Sequence, residues 1–122
     1  QIITFYNDKQ FTIKKSDIEK IRYVKELIFQ QPDQMKCLRA LALEVGTNEF
    51  TLKKGFKELY GTTVFKYWNA VKMNEAKKIL LHENVSINEV ADKMGYKHAQ
   101  HFSTAFKRQF GVIPSKIKKF SE

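Results

Sequence analysis

Slid along itself, this chain repeats its own punctuation. At a shift of 49 residues Ala42 falls on Ala91 and Gly46 on Gly95; at 50, Leu52 falls on Phe102, Phe56 on Phe106, Tyr60 on Phe110 and Gly61 on Gly111. One residue is inserted in the second turn. Each copy reads small residue, three residues, glycine, then a helix with an aromatic anchor. That order is what a helix-turn-helix requires. Alanine lets two helices approach closely, and glycine supplies the left-handed backbone of a sharp turn between crossing helices. The pattern predicts an all-α fold in which two such motifs are joined by a long linker helix.

The remaining periodicity fills in that outline. Ile18, Ile21, Val24, Leu27 and Ile28 predict an amphipathic helix to about Gln30, opened by a capping box at Ser16-Asp17-Ile18-Glu19. Pro32 suits the first turn of a second helix, whose apolar face is Leu38, Leu41, Ala42 and Val45 and which Gly46 closes. Thr47 is placed to cap the next helix, which carries Leu52, Phe56, Leu59 and Tyr60 and ends at Gly61. Thr63 then caps an uninterrupted helix over Val64–His82. A second capping box, Ser86 to Glu89, opens a short helix ending at Gly95, and His98–Phe110 turns Phe102, Ala105, Phe106 and Phe110 inward before Gly111. Pro114 is suited to open a last basic helix over Ser115–Phe120. β-Branched alternation is confined to Ile2–Ile13, which reads as a short hairpin about Asn7-Asp8 or as a linker. The expected divisions are 1–16 as linker or remnant of a sensor domain, 17–62 and 83–122 as helix-turn-helix subdomains, and 63–82 as linker helix.

Charge narrows the partner. Lys and Arg number 22 against 13 Asp and Glu, 22 − 13 = +9, and a pI near 9.6 favours polyanions. Two motifs in register on such a chain point to a tandem reader of double-stranded DNA. The one cysteine, Cys37, excludes an internal disulfide and shares a helical face with Leu41, which predicts a buried small apolar side chain. No Gly-rich phosphate loop or nucleophile elbow is present, so neither an enzyme nor a cofactor is expected. His98 and His101 lie three apart without a carboxylate or thiol nearby, an incomplete metal site. Phe65, Tyr67 and Trp68 read as core at helical spacing rather than as a base-stacking platform. No apolar run nears the roughly 18 residues of a membrane span and no signal peptide leads the chain, so a cytoplasmic setting is expected. The start at Gln1 suggests a piece of a longer protein.

The residues also carry a family resemblance. Ser86 through Tyr96, and Phe102-Ser103-Thr104-Ala105-Phe106-Lys107-Arg108-Gln109-Phe110-Gly111-Val112-Ile113-Pro114-Ser115, closely resemble the C-terminal signature of the AraC/XylS transcription regulators. Tyr67, Lys72-Met73 and Ala76 look like that family's linker helix, and the resemblance runs from about Met35 to Lys119. Asn48 through Gly61 is most similar to the pyochelin-regulator branch. The resemblance implies a seven-helix DNA-binding unit, usually an activator, which follows a sensor or dimerisation domain. It also implies RNA polymerase as a partner and a small-molecule effector only through that other domain.

Helical geometry names the reading faces. With Leu52 and Phe56 inward, Thr47, Phe50, Thr51, Lys54 and Lys57 turn outward, and the resemblance adds Lys53 to Phe50 and Lys54 as base-contact positions. Phe50 is placed either on a thymine methyl or against the preceding helix. In the second motif Lys97, Gln100, Thr104 and Lys107 turn outward, flanked by His101 and Ser103; the resemblance favours Gln100, Ser103 and Thr104. Gln100 can pair bidentately with adenine. Thr47, Asn48, Phe50, Thr51, Lys53, Lys54, His98, Gln100, His101, Ser103 and Thr104 are thus the base-facing candidates. Lys57, Lys66, Lys97, Lys107, Arg108, Lys116, Lys118 and Lys119 are the phosphate candidates. Lys72 either clamps the backbone or braces the linker helix. Lys97 to Phe120 holds six basic residues and no acidic one, which a merely solvated face would rarely show. The rival readings are a basic protein-interaction module and sequence-blind nucleic-acid binding; neither needs two recognition helices in register.

Overall fold

The computed structural model describes residues 13–34 and 36–118. Six α-helices run in order among them: α1 Lys15–Gln30, α2 Leu38–Val45, α3 Glu49–Tyr60, α4 Val64–His82, α5 Ile87–Lys93 and α6 Ala99–Phe110. A 3-10 turn, Pro114–Lys116, follows, and no strand occurs among the described residues. The hairpin expected over 2–13, save Ile13 itself, lies outside them, as do Lys119 and Phe120. The chain divides into two compact units, Gln1–Trp68 and Asn69–Glu122, and the α4 helix contributes to both.

In the first unit α1, α2 and α3 pack on one another. Ile18, Ile21, Val24 and Ile28 form the buried stripe of α1, Leu41 and Ala42 that of α2, and Leu52 and Phe56 that of α3. Gly55 lies in the middle of α3 and is buried. A Cβ there would overlap the Ile21 Cδ1 methyl, so the missing side chain sets how closely α1 and α3 approach. Trp68 is buried, and its indole N–H donates to the Pro32 carbonyl at 2.7 Å.

The second unit has one core, built from Met73, Ala76, Ile79 and Leu80 of α4, Val90 and Ala91 of α5, Met94, and Phe102 and Phe106 of α6. The α5 helix opens on a complete capping box: Glu89 N–H donates to Ser86 Oγ at 3.0 Å and Ser86 N–H to Glu89 Oε1 at 2.7 Å. Thr63 caps α4 through the Lys66 N–H at 3.0 Å.

Several sequence expectations are corrected. Ser16 lies inside α1, whose N-cap is Lys14 with no side-chain cap bond, so the first capping box does not form. The chain passes Pro32 in a turn rather than in a helix, and α2 begins only at Leu38. Cys37 is the N-cap of α2 and is exposed: at the end of a helix it no longer shares Leu41's buried face. Asn48 and not Thr47 caps α3, its Oδ1 accepting from Thr51 N–H at 2.8 Å. The last basic helix reduces to one 3-10 turn over Pro114–Lys116, and Ile117 and Lys118 are not helical. Of the aromatic trio, Trp68 is core and Tyr67 half-buried, but Phe65 is 61% exposed.

Candidate nucleic-acid interface

The two turns are alike down to single hydrogen bonds. Gly46 and Gly95 adopt φ of 85° and 89°. Around the first, Thr47 N–H donates to Ala42 O at 2.8 Å and Gly46 N–H to Leu43 O at 3.1 Å; around the second, Tyr96 N–H donates to Ala91 O at 2.9 Å and Gly95 N–H to Asp92 O at 3.0 Å. Each pair sits 49 residues apart. Both recognition helices also end alike, with Gly61 N–H on Lys57 O at 2.8 Å and Gly111 N–H on Lys107 O at 2.7 Å, and both glycines are left-handed. These bonds satisfy carbonyls that a helix end would otherwise leave open. They fix where each recognition helix starts and stops.

A second layer of the repeat holds the recognition helices in place, and the sequence reading missed it. At a shift of 52, Lys20 falls on Lys72, Ile21 on Met73, Val24 on Ala76, Lys25 on Lys77 and Ile28 on Leu80. The helix before each motif therefore presents the same apolar stripe with two lysines beside it. Lys25 Nζ stands 4.8 Å over the Tyr60 ring and Lys77 Nζ 4.8 Å over the Phe110 ring, the two aromatics that end α3 and α6. Lys20 donates to the Gly46 carbonyl at 2.9 Å, while Lys72 lies 4.8 Å over the ring of Tyr96, one residue past Gly95. Lys72 is buried in this position, as a brace would be, and burial lowers its pKa. Burial likewise raises the pKa of Tyr60, Tyr67 and Tyr96. Tyr96 packs edge-on against Phe102 at 5.7 Å, and Phe102, Phe106 and Phe110 continue as a ladder down α6.

On the outer face of α3, Phe50 is 73% exposed, so packing on the preceding helix does not account for it. Lys53 and Lys57 are exposed, whereas Thr47 and Thr51 are half-buried. Lys54 is half-buried and meets Glu58 Oε2 at 2.8 Å, an i,i+4 pair of the kind that rearranges at little cost. Asn48 is exposed with its carbonyl oxygen committed to the cap.

On α6, Gln100, His101, Thr104, Lys107 and Arg108 are exposed and Ser103 half-buried, with exposed Lys97 and His98 just ahead of them. Thr104 Oγ1 donates back to the Gln100 carbonyl at 3.0 Å, which leaves its methyl and lone pairs outward. The His98 and His101 rings meet edge to face, centroids 5.4 Å apart. No group of three His, Cys, Asp or Glu side chains gathers among the described residues as a metal site would need. His98 gives α6 no side-chain cap, and its first turn carries no acidic residue. Lys66 and Lys116 are exposed and Lys118 half-buried, while Lys119 lies outside the described residues. No helix among them is long and apolar enough to cross a membrane.

Comparison with known proteins agrees with this geometry. A family model described as a helix-turn-helix domain matches residues 41–119. The chain is 28% identical over 109 residues to the bifunctional transcriptional activator/DNA repair enzyme AdaA of Bacillus subtilis, covering 89% of this chain and 52% of AdaA. It is 31% identical over 83 residues to the transcriptional activator RhaS of Salmonella arizonae, covering 68% of this chain and 30% of RhaS. The DNA-binding domain of AdpA, solved in complex with a target DNA, has the same fold: TM-score 0.75 at 19% identity, covering 81% of this chain and 89% of that one. The chain thus spans about half of one of these curated relatives and under a third of the other.

Proposed function

The chain belongs to the AraC-type helix-turn-helix family, and on that premise we propose that it is the sequence-specific DNA-binding domain of a transcriptional activator. One observation carries the reading. Two left-handed glycine turns with matching hydrogen bonds each deliver a helix that buries two apolar residues, Leu52 and Phe56 or Phe102 and Phe106, and turns exposed lysines outward. A binding surface for one acidic partner would not need that duplication.

In this reading α3 and α6 each enter a major-groove segment by their N-terminal half. Gln100 pairs with adenine, Ser103 and Thr104 touch neighbouring bases, and Phe50 packs on a thymine methyl beside Lys53. Lys54 joins them after leaving Glu58, and Thr47, Asn48, Thr51, His98 and His101 border the base-reading residues. Lys57, Lys66, Lys97, Lys107, Arg108 and Lys116 take phosphates, and Lys118 and Lys119 extend that contact. A phosphate can also supply the cap that α6 lacks, because free N–H groups and the helix dipole favour an anion there. The activator names of RhaS and AdaA support RNA polymerase as partner of the whole protein, with any effector acting through another domain.

The experiment is selection of the protein against a random duplex library at near-physiological salt, followed by anisotropy titrations of the winner at two salt concentrations. An asymmetric site with two elements about one helical turn, 10–10.5 base pairs, apart is the expected result. Gln100→Ala should relax preference at one base by about tenfold. Lys107→Ala should weaken all duplexes alike and reduce the salt slope by about one. Salt-sensitive binding with no enriched sequence would sink sequence-specific reading.

A further inference from the structure

Beside α3, wholly within the first unit, lies a cavity of about 480 Å³. Its volume is in the range of small-molecule sites. Leu38, Leu41, Val64, Phe65 and Trp68 form the walls. The one hydrogen-bond donor of Trp68 is already given to the Pro32 carbonyl, so the indole offers the cavity only its ring. Phe65 stays 61% exposed at its edge, an aromatic with its face unspent. No acidic side chain lines the cavity, and two lysines do. The charge of Lys36 is answered by Glu44 at 2.6 Å, whereas Lys53 makes no ion pair among the described residues.

We infer that this cavity binds a small amphipathic anion, an apolar ring or chain bearing one carboxylate or sulfonate, and that its occupant withdraws Lys53 from DNA. The apolar body lies between Phe65 and the wall of Leu38, Leu41 and Val64, and the charge meets the Lys53 ammonium. Lys53 is exposed on α3 and also lines the cavity, so it can serve the bound anion or a DNA acceptor. Ligand and DNA then oppose one another through this one cation. The regulatory half rests on the DNA-reading proposal; the binding half does not.

Trp68, the only tryptophan, supplies the readout from within the wall. The protein is titrated without DNA using 8-anilinonaphthalene-1-sulfonate, then N-phenyl-1-naphthylamine, the same ring system lacking the sulfonate. Saturable one-to-one quenching is expected, with the sulfonate bound about three- to fivefold tighter, as an exposed ion pair allows. Lys53→Gln should erase that difference and leave the neutral probe unchanged. Cys37 also lines the cavity, from an exposed position whose side chain makes no cap bond; Cys37→Phe fills the space and should abolish both titrations while keeping the helical circular dichroism. Equal affinity for the two probes, or quenching that survives Cys37→Phe, overturns the site. On the selected duplex, saturating sulfonate should weaken DNA binding by the same factor by which saturating DNA weakens the sulfonate. The Cys37→Phe protein should bind that duplex normally and ignore the sulfonate. Ligand binding without such coupling overturns the regulatory half. A protein that takes the probe but no duplex refutes DNA reading alone; one that takes the duplex but no probe refutes this site alone.

Discussion

The two halves of the molecule share a frame and differ on the face they present. Both hold a recognition helix between left-handed glycines, pack it by two inward residues, and set a lysine over its last aromatic. Yet α3 is capped by Asn48, carries Glu49 in its first turn and ties Lys54 to Glu58, whereas α6 has no side-chain cap and no acidic residue at all. Gly55 in α3 corresponds to Ala105 in α6, 50 residues on. What the two copies keep is what orients a helix, and what they change is what such a helix shows to a ligand. Two different faces on one frame suit an asymmetric site better than a palindrome.

The frame's equivalence can be broken at its core. Phe56→Ala and Phe106→Ala remove matching, fully buried rings and should each cost about 3–5 kcal/mol. Denaturant titration of both variants checks this. Costs that differ severalfold would mean that the two rings do not play equivalent parts.

Next in size is the pair where the copies disagree. Helix propensity alone says Gly55→Ala should stabilise by about 1 kcal/mol. Overlap with Ile21 instead predicts destabilisation by about 1–3 kcal/mol, so the sign of the change decides. Ala105→Gly should lose about 1 kcal/mol, because α6 gains only backbone freedom from it.

The caps sharpen the contrast further. Asn48→Ala should cost about 1 kcal/mol, and His98→Asn should recover about half that by giving α6 the cap that α3 has. If the empty cap serves phosphate, His98→Asn will at the same time weaken binding to every duplex.

The smallest effect is alkaline. Tyr60 and Tyr67 in the first unit titrate above their ordinary value because burial disfavours the phenolate. The folded state therefore keeps protons that the unfolded chain has released, and their stabilisation fades as pH climbs past about 10. In the second unit Tyr96 acts the same way, but buried Lys72 acts oppositely: its pKa is lowered, so its destabilisation of the charged fold is relieved as pH rises. Phe110 replaces Tyr60 and does not titrate. Trp68 fluorescence, which reports the first unit, should therefore lose denaturant resistance before the far-ultraviolet helical signal does. Coincident losses would remove this asymmetry.

Much of this was legible in the sequence because its signals were local. The bounds of α4, the Ser86 capping box and the left-handed turns at Gly46, Gly61, Gly95 and Gly111 all follow from residues within a few positions of one another. The misreadings came where a local motif competed with tertiary geometry. Ser16 carries the letters of a cap, yet α1 already includes it, with Lys14 as the N-cap residue. Pro32 could start a helix but is held in a turn by Trp68, 36 residues away. Of the candidate site, the outward placement of Gln100, Thr104, Lys107 and Phe50 followed from helical phase. The bracing role of Lys20, Lys25, Lys72 and Lys77 did not, although a shift of 52 would have exposed the pattern. Lysines beside an apolar stripe look like solvated charge until the ring beneath them is known.

The hydrogen bond from Trp68 to Pro32 also has a kinetic consequence. Its partners are 36 residues apart, so forming it closes a loop costing about 3 kcal/mol of chain entropy, whereas the turn bonds around Gly46 span three to five residues and cost less than half of that. The early steps of folding should favour the short-range bonds, and this one should have a φ-value near zero. In stopped-flow refolding the indole should thus acquire its buried emission only after most helix has formed. Substitutions at Pro32 or Trp68 would then quicken unfolding while leaving the refolding rate almost untouched.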